Sequence, residues 1–145
     1  LKRFYMDGSY DDPYDIPSIT NQGIIRLGQK CPEITHIHLI NCVNVSNAGI
    51  SSLAHYCSKL EEIELSNIRS VGIGIKSLID NCPRLTGIML SDCEVDDSFI
   101  KYLVEKCNRL THISFENVSN ITKDDIQLLI KECPRLDNIK YILGL

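Results

Sequence analysis

The chain has 145 residues, 43% hydrophobic and 23% charged, with a formal net charge of −4. That balance is ordinary for a soluble folded protein. The acidic sign argues against nucleic acid as a partner, because there is no basic footprint to meet phosphate. No apolar run approaches the ~18 residues of a spanning helix, so no membrane contact is expected, and no secretory or transit segment is read at the start.

Residues 1–7 are the first expected strand, with Leu1, Phe4 and Met6 as its apolar skeleton. The stretch Tyr10–Ser18 then carries two prolines and three aspartates, which preclude regular structure. An insertion loop is expected at 10–18.

From Cys31 a unit recurs. CPEITHIHLINC is followed by CSKLEEIELSNI at Cys57, CPRLTGIMLSDC at Cys82, CNRLTHISFENV at Cys107 and CPRLDNIKYIL at Cys133. The starting cysteines are 26, 25, 25 and 26 residues apart, and apolar residues follow each at the third, sixth and eighth positions. Strands are expected at about 34–40, 60–66, 85–91, 110–116 and 136–142.

Between them an apolar anchor (Ile19, Val45, Val71, Val95, Ile121) precedes Thr20, Ser46, Gly72, Asp96 or Thr122. Four of these five residues have a side-chain oxygen able to cap a helix, and Thr122 with Asp125 makes a capping-box pair. Apolar residues then recur at helical spacing, as in Ile50, Leu53, Ala54 and Cys57, or Ile126, Leu129, Ile130 and Cys133. Pro32, Pro83 and Pro134 end three of the helices.

Strand, turn, helix and stop, repeated, give an α/β fold. A parallel sheet with right-handed crossovers is expected, strands on a concave face and helices on a convex one. A period of this length with L-x-x-L-x-L-x-x-(N/C) is the signature of a leucine-rich repeat solenoid. The expected organisation is one domain over 1–145, about five repeats with partial ends, forming a piece of a longer array. Leu1, Phe4 and Met6 at one end and Leu136, Ile139 and Tyr141 at the other would expose apolar surface, so oligomerisation or further chain is expected to cover them.

The seven cysteines fall at repeat positions rather than in C-x-x-C pairs or Cys/His clusters. They are read as small buried hydrophobes, not disulfides or metal ligands, which fits a reducing compartment. The cytoplasm, the nucleus or both are the expected locations.

The run CPEITHIHLINCVNVSNAGISSLAHYC closely resembles the cysteine-containing leucine-rich repeat, C-P-x-L-x-x-L-x-L-x-x-C-x-x-(I/V)-(S/T)-x-x-G-(I/L)-x-x-L-A. That subtype is typical of F-box/LRR proteins and of the antagonist-of-mitotic-exit-network family. The resemblance implies a protein-binding module that recruits substrate to an SCF ubiquitin ligase. The adaptor would be met only through an F-box segment, which these 145 residues do not show. The other reading is a structural subunit of a larger assembly with no ubiquitin link.

Strand alternation sends the residues between the apolar anchors to the outer face. Tyr5, His36, His38, Glu62, Glu64, Met89, His112, Ser114 and Lys140 are the candidate partner-binding residues there. They form a mixed patch, suited to a protein or peptide. His36 and His38 fall about 5 Å across the sheet from Glu62 and Glu64. An acid–base pair or a two-histidine, two-carboxylate metal site is conceivable there, yet an open curved surface favours plain cross-strand pairing. No catalytic residue, cofactor or metal is expected. Asn41, Asn67, Asp92 and Asn117 recur at the strand ends and are read as a structural ladder satisfying the following turns.

Overall fold

A computed structural model describes residues 1–9 and 19–142. The expected insertion loop at 10–18 lies outside the described residues. The elements alternate along the chain: β1 (Arg3–Asp7), α1 (Asn21–Lys30), β2 (His36–Ile40), α2 (Asn47–Tyr56), β3 (Glu62–Ser66), α3 (Gly72–Asn81), β4 (Gly87–Ser91), α4 (Phe99–Lys106), β5 (His112–Glu116), α5 (Lys123–Glu132) and β6 (Asn138–Ile142). The six strands form one parallel sheet in chain order. This α/β arrangement is compatible with a βα solenoid-like stack, because each strand pairs with the next strand and each helix lies beside the next helix.

The strands begin two residues later than the apolar spacing implies. The first anchor of the unit sits in a tight turn instead: the N–H of Ile34, Leu60, Leu85 and Leu136 donates to the carbonyl of the cysteine three residues back, at 3.1–3.2 Å. Pairing then starts from a shared acceptor. Thr35 and His36 both donate to the Lys2 carbonyl, and Glu61 and Glu62 both donate to that of Thr35.

Register is strict across the sheet. Phe4, Ile37, Ile63, Ile88, Ile113 and Ile139 share one inner row, and Met6, Leu39, Leu65, Leu90, Phe115 and Tyr141 the next. From β2 to β5 both rows are buried against the helices, with Ile24, Ile50, Leu53, Ile75, Leu78, Ile100, Leu103, Ile126 and Leu129 opposite them.

Helix starts differ from expectation in three places. Thr20 caps α1 through Gly23, and Thr122 with Asp125 forms the full capping box of α5. At α2, however, Ser46 makes no side-chain cap; Asn21 of the previous helix does that work, its Oδ1 accepting from Ser46 and Gly49 N–H at 2.9 and 3.1 Å. Asn47 likewise accepts from Gly74 N–H at 2.8 Å. The N-cap of α3 is Val71, and that of α4 is Ser98, not Asp96. Asp96 instead pairs with Lys76 at 2.7 Å, and that hydrogen bond is the main reason its carboxyl pKa is lowered.

Ile130 is the clearest packing correction: it is 53% exposed rather than core. Its repeat position, three before the cysteine, faces the following helix, as Gly28 does against Tyr56. No helix follows α5 among the described residues. Leu27 and Val104 are only half-buried.

The expected ladder exists with a different wiring. Asn41, Asn67, Asp92 and Asn117 all have left-handed backbones, φ 50–55°, a conformation that asparagine and aspartate tolerate better than other side chains. Rather than serving the turn, the side chains join repeat to repeat. Asn41 donates to Asp7, Asn67 to Asn41, and Asn117 to Asp92, at 3.1, 3.0 and 2.7 Å. The ladder breaks between Asn67 and Asp92, since an ionised carboxylate has no N–H to offer.

All seven cysteines are free. Six are buried and Cys31 is half-buried, a partial correction to the core assignment. Burial pushes the Cys57 thiol up to about 11 and the Cys82 thiol up to about 12. Since the thiolate is the reactive form, native protein should label fast at Cys31 alone and at all seven only in denaturant. Rapid native labelling of most thiols would refute the packing. At the ladder, Asn67→Ala should cost ~1–2 kcal/mol from the left-handed backbone, and Asn67→Gly less. Urea midpoints in the opposite order would refute that account of the turn.

Candidate functional site

The outer face of the sheet is built by the same register that closes the core. Each outward residue meets its counterpart one strand away: Arg3, His36, Glu62, Gly87, His112 and Asn138 form one row, and Tyr5, His38, Glu64, Met89, Ser114 and Lys140 the next. All nine candidate residues therefore stand on one face.

The structure draws a tighter cluster from them than strand neighbours alone would give. Glu62 is ringed by three imidazoles. His38 Nε2 lies 3.1 Å from Oε1, His112 Nε2 3.3 Å from Oε2, and His36 Nε2 4.0 Å from Oε2. The other ring nitrogen of His38, Nδ1, is 3.2 Å from Glu64 Oε2. A neutral imidazole carries one N–H, so His38 can donate to both carboxylates only as the imidazolium. The Nδ1 atoms of His36 and His112 meet the hydroxyls of the preceding threonines, Thr35 at 2.8 Å and Thr111 at 3.3 Å, which orients both rings.

His112 belongs to this group only because of a missing side chain. It lies two strands from Glu62, with Gly87 between them in register. A Cβ on Gly87 would stand 2.1 Å from His112 Nε2 and 2.3 Å from Cε1. The ring thus fills the space above the glycine. An outward glycine in a strand is the sequence signal for such a crossing.

The cluster is a hydrogen-bonded network of partly exposed groups. Among the described residues, no three His, Cys, Asp or Glu side chains stand in an arrangement that would hold a metal ion. Ion pairs this exposed contribute at most ~1 kcal/mol each.

Beside it, over β4 to β6, lies a groove of about 310 Å³ whose lining includes Glu64, Met89, His112, Ser114, Glu116 and Lys140. The short side chains of Ser91 and Ser114 make it low, and Met89 is half-buried in it. Tyr5 stands apart from it. It is 62% exposed and lines a smaller depression of about 240 Å³ with His36 and His38. A third, more polar depression of about 480 Å³ lies at the strand-end turns, where Asn67, Arg69, Asp92, Glu94 and Asn117 meet. Glu116, which strand alternation also sends to the outer face, lines the groove although it is not one of the nine candidates. It sits in the third outward row, beyond the positions that the histidine–glutamate pairing drew attention to.

No known family model matches the chain. Among the described residues, no helix is long and apolar enough to cross a membrane.

The geometry makes a direct test available at Gly87. Gly87→Ala should push the flexible His112 ring off Glu62 while leaving the fold intact, since the clash is with a side-chain tip on an open face. The expected results are altered His112 ring resonances and a stability change of under ~1 kcal/mol. Unfolding, or an unmoved His112 signal, would contradict the placement of that ring.

Proposed function

We propose that this chain is a leucine-rich repeat solenoid that serves as a protein-recognition module and binds its partner on the outer strand face. The observation that carries the reading is a contrast between rows. The inner row repeats isoleucine at Ile37, Ile63, Ile88, Ile113 and Ile139, while the adjacent outer row reads Tyr5, His38, Glu64, Met89, Ser114 and Lys140. Stacking demands the first set of identities and is indifferent to the second, which a ligand is free to set. Tyr5 and Met89 are the apolar anchors of that row, of residue types enriched at interface cores.

The repeat subtype supports a more specific form. It is the substrate-recognition part of an F-box/LRR-type ubiquitin ligase receptor or a related cell-cycle regulator, working in the cytoplasm or nucleus. Free, buried thiols agree with a reducing compartment. The shallow, open groove suits a docked protein better than a reaction that must exclude water, so catalysis is assigned to other components.

The test uses full-length protein and its captured partner. Replacing Met89 by Lys together with Glu64 by Arg should abolish capture, with the circular dichroism spectrum and Tm nearly unchanged. Charge reversal at Lys30, Lys59 and Lys106 on the helix side should leave it intact. The opposite pattern would overturn the assignment.

A further inference from the structure

The outer face is not electrostatically uniform. Over β2 and β3 its carboxylates are already engaged: Glu62 and Glu64 hold His38 between them, with His112 and His36 beside Glu62. Toward β5 and β6 they are not. The side chains of Glu116 and Lys140 are exposed and have no hydrogen-bond or ion-pair partner among the described residues, although both line the same groove. Exposed groups left unmatched in a groove are available to a ligand at little desolvation cost, because no internal bond must break first.

The groove also has a charge order. Along one row, from β3 to β6, it presents a carboxylate (Glu64), a thioether (Met89), a hydroxyl (Ser114) and an ammonium (Lys140). Strands are ~4.8 Å apart, so three steps make ~14 Å, which an extended peptide covers in about four residues. Glu116, two residues along β5 from Ser114, adds a second carboxylate and leaves the groove net negative.

Resting on the protein-recognition reading above, we propose that the groove over β4–β6 takes an extended partner segment lying across the strands. The segment places an apolar side chain on Met89, a lysine or arginine next to it at Glu64, and an acidic residue about four positions from the basic one at Lys140. Charge complementarity selects this occupant: a uniformly acidic segment would meet Glu64 and Glu116, and a uniformly basic one would meet Lys140.

The probe is a phage-displayed library of random linear peptides, selected on the whole chain, with enriched peptides then synthesised. The expected consensus joins a basic to an apolar residue and carries an acidic one about four positions away. These peptides should shift the backbone amide signals of Met89 and Ser114 and bind about tenfold more weakly to Glu64→Lys. The doubly substituted Glu64→Lys, Lys140→Glu chain should enrich peptides with the reverse order, the apolar residue now beside the acidic one. If these variants misfold by circular dichroism, Lys140→Glu alone, at an exposed side chain, should abolish the preference for the acidic residue. No enrichment, or enriched peptides indifferent to these substitutions, would overturn the proposal. Peptides without the charge order that still shift Met89 and Ser114 would sink this inference but spare the recognition reading. Shifts confined to α1–α5 would sink both.

Discussion

No strand–helix unit of this protein can close its own core. Ile63 and Leu65 of β3 are fully buried only because the same residues of β2 and β4 stand beside them in register, and because α2 and α3 lie against each other over the sheet. A one-residue slip of any strand would turn its isoleucine and leucine outward. Two polar ladders hold the register where the apolar rows end. At the strand ends, left-handed asparagines bond from one repeat to the next. At the helix ends, the cysteine thiols face the carbonyl of the preceding cysteine: Cys82 Sγ lies 3.4 Å from Cys57 O, and Cys57 Sγ 3.9 Å from Cys31 O. A small buried side chain with a weak donor suits that site, since the last helical carbonyls otherwise lack partners. Arg109 supplies the next bond in the series, donating to Cys82 O at 3.0 Å and to Ile79 O at 2.7 Å.

The same packing explains how helix spacing is set. The position three residues before each cysteine is small in the first two repeats and β-branched in the later three: Gly28, Ala54, then Ile79, Val104 and Ile130. Gly28 lets Tyr56 approach to within contact, and Gly74, packed on Ile50, does the same between α2 and α3. The first three helices are accordingly the closest packed, and their asparagines can reach across to cap the next helix. That reach requires Asn21 and Asn47; at the equivalent place, the first residue of α3, stands Gly72, which has no side chain to reach across, and no such cap follows.

This is also where sequence reading reaches its limit. Period, strand faces and core rows were legible, because each depends on residues a fixed distance apart within one repeat. The caps of α3 and α4 were not, because those turns are each one residue shorter and the backbone shifts its first helical residue. Ile130 reads as core by its spacing, but its burial depends on a neighbour that spacing does not supply. The site was legible to the extent of His36, His38, Glu62 and Glu64 on adjacent strands. The inclusion of His112 was not, because it depends on Gly87 being absent as a side chain two strands away from the carboxylate.

Stacking fixes the backbone of the outer face, so on the proposed recognition role the side chains, with their prior commitments, set where affinity can arise. A carboxylate already accepting from an imidazole N–H gains less from a partner's cation than one bonded only to water, because the incoming group competes with an existing bond. Glu62, contacted by three histidines, is in that sense spent: its role is to hold the rings over β2–β4 in place. Glu64 is intermediate, with one oxygen on His38 and the groove at its side. Glu116 and Lys140 carry no such commitment. The face thus divides into a half whose side chains bond to one another and a half that is open. On the proposed recognition role, the open half is where a partner would find unengaged charges.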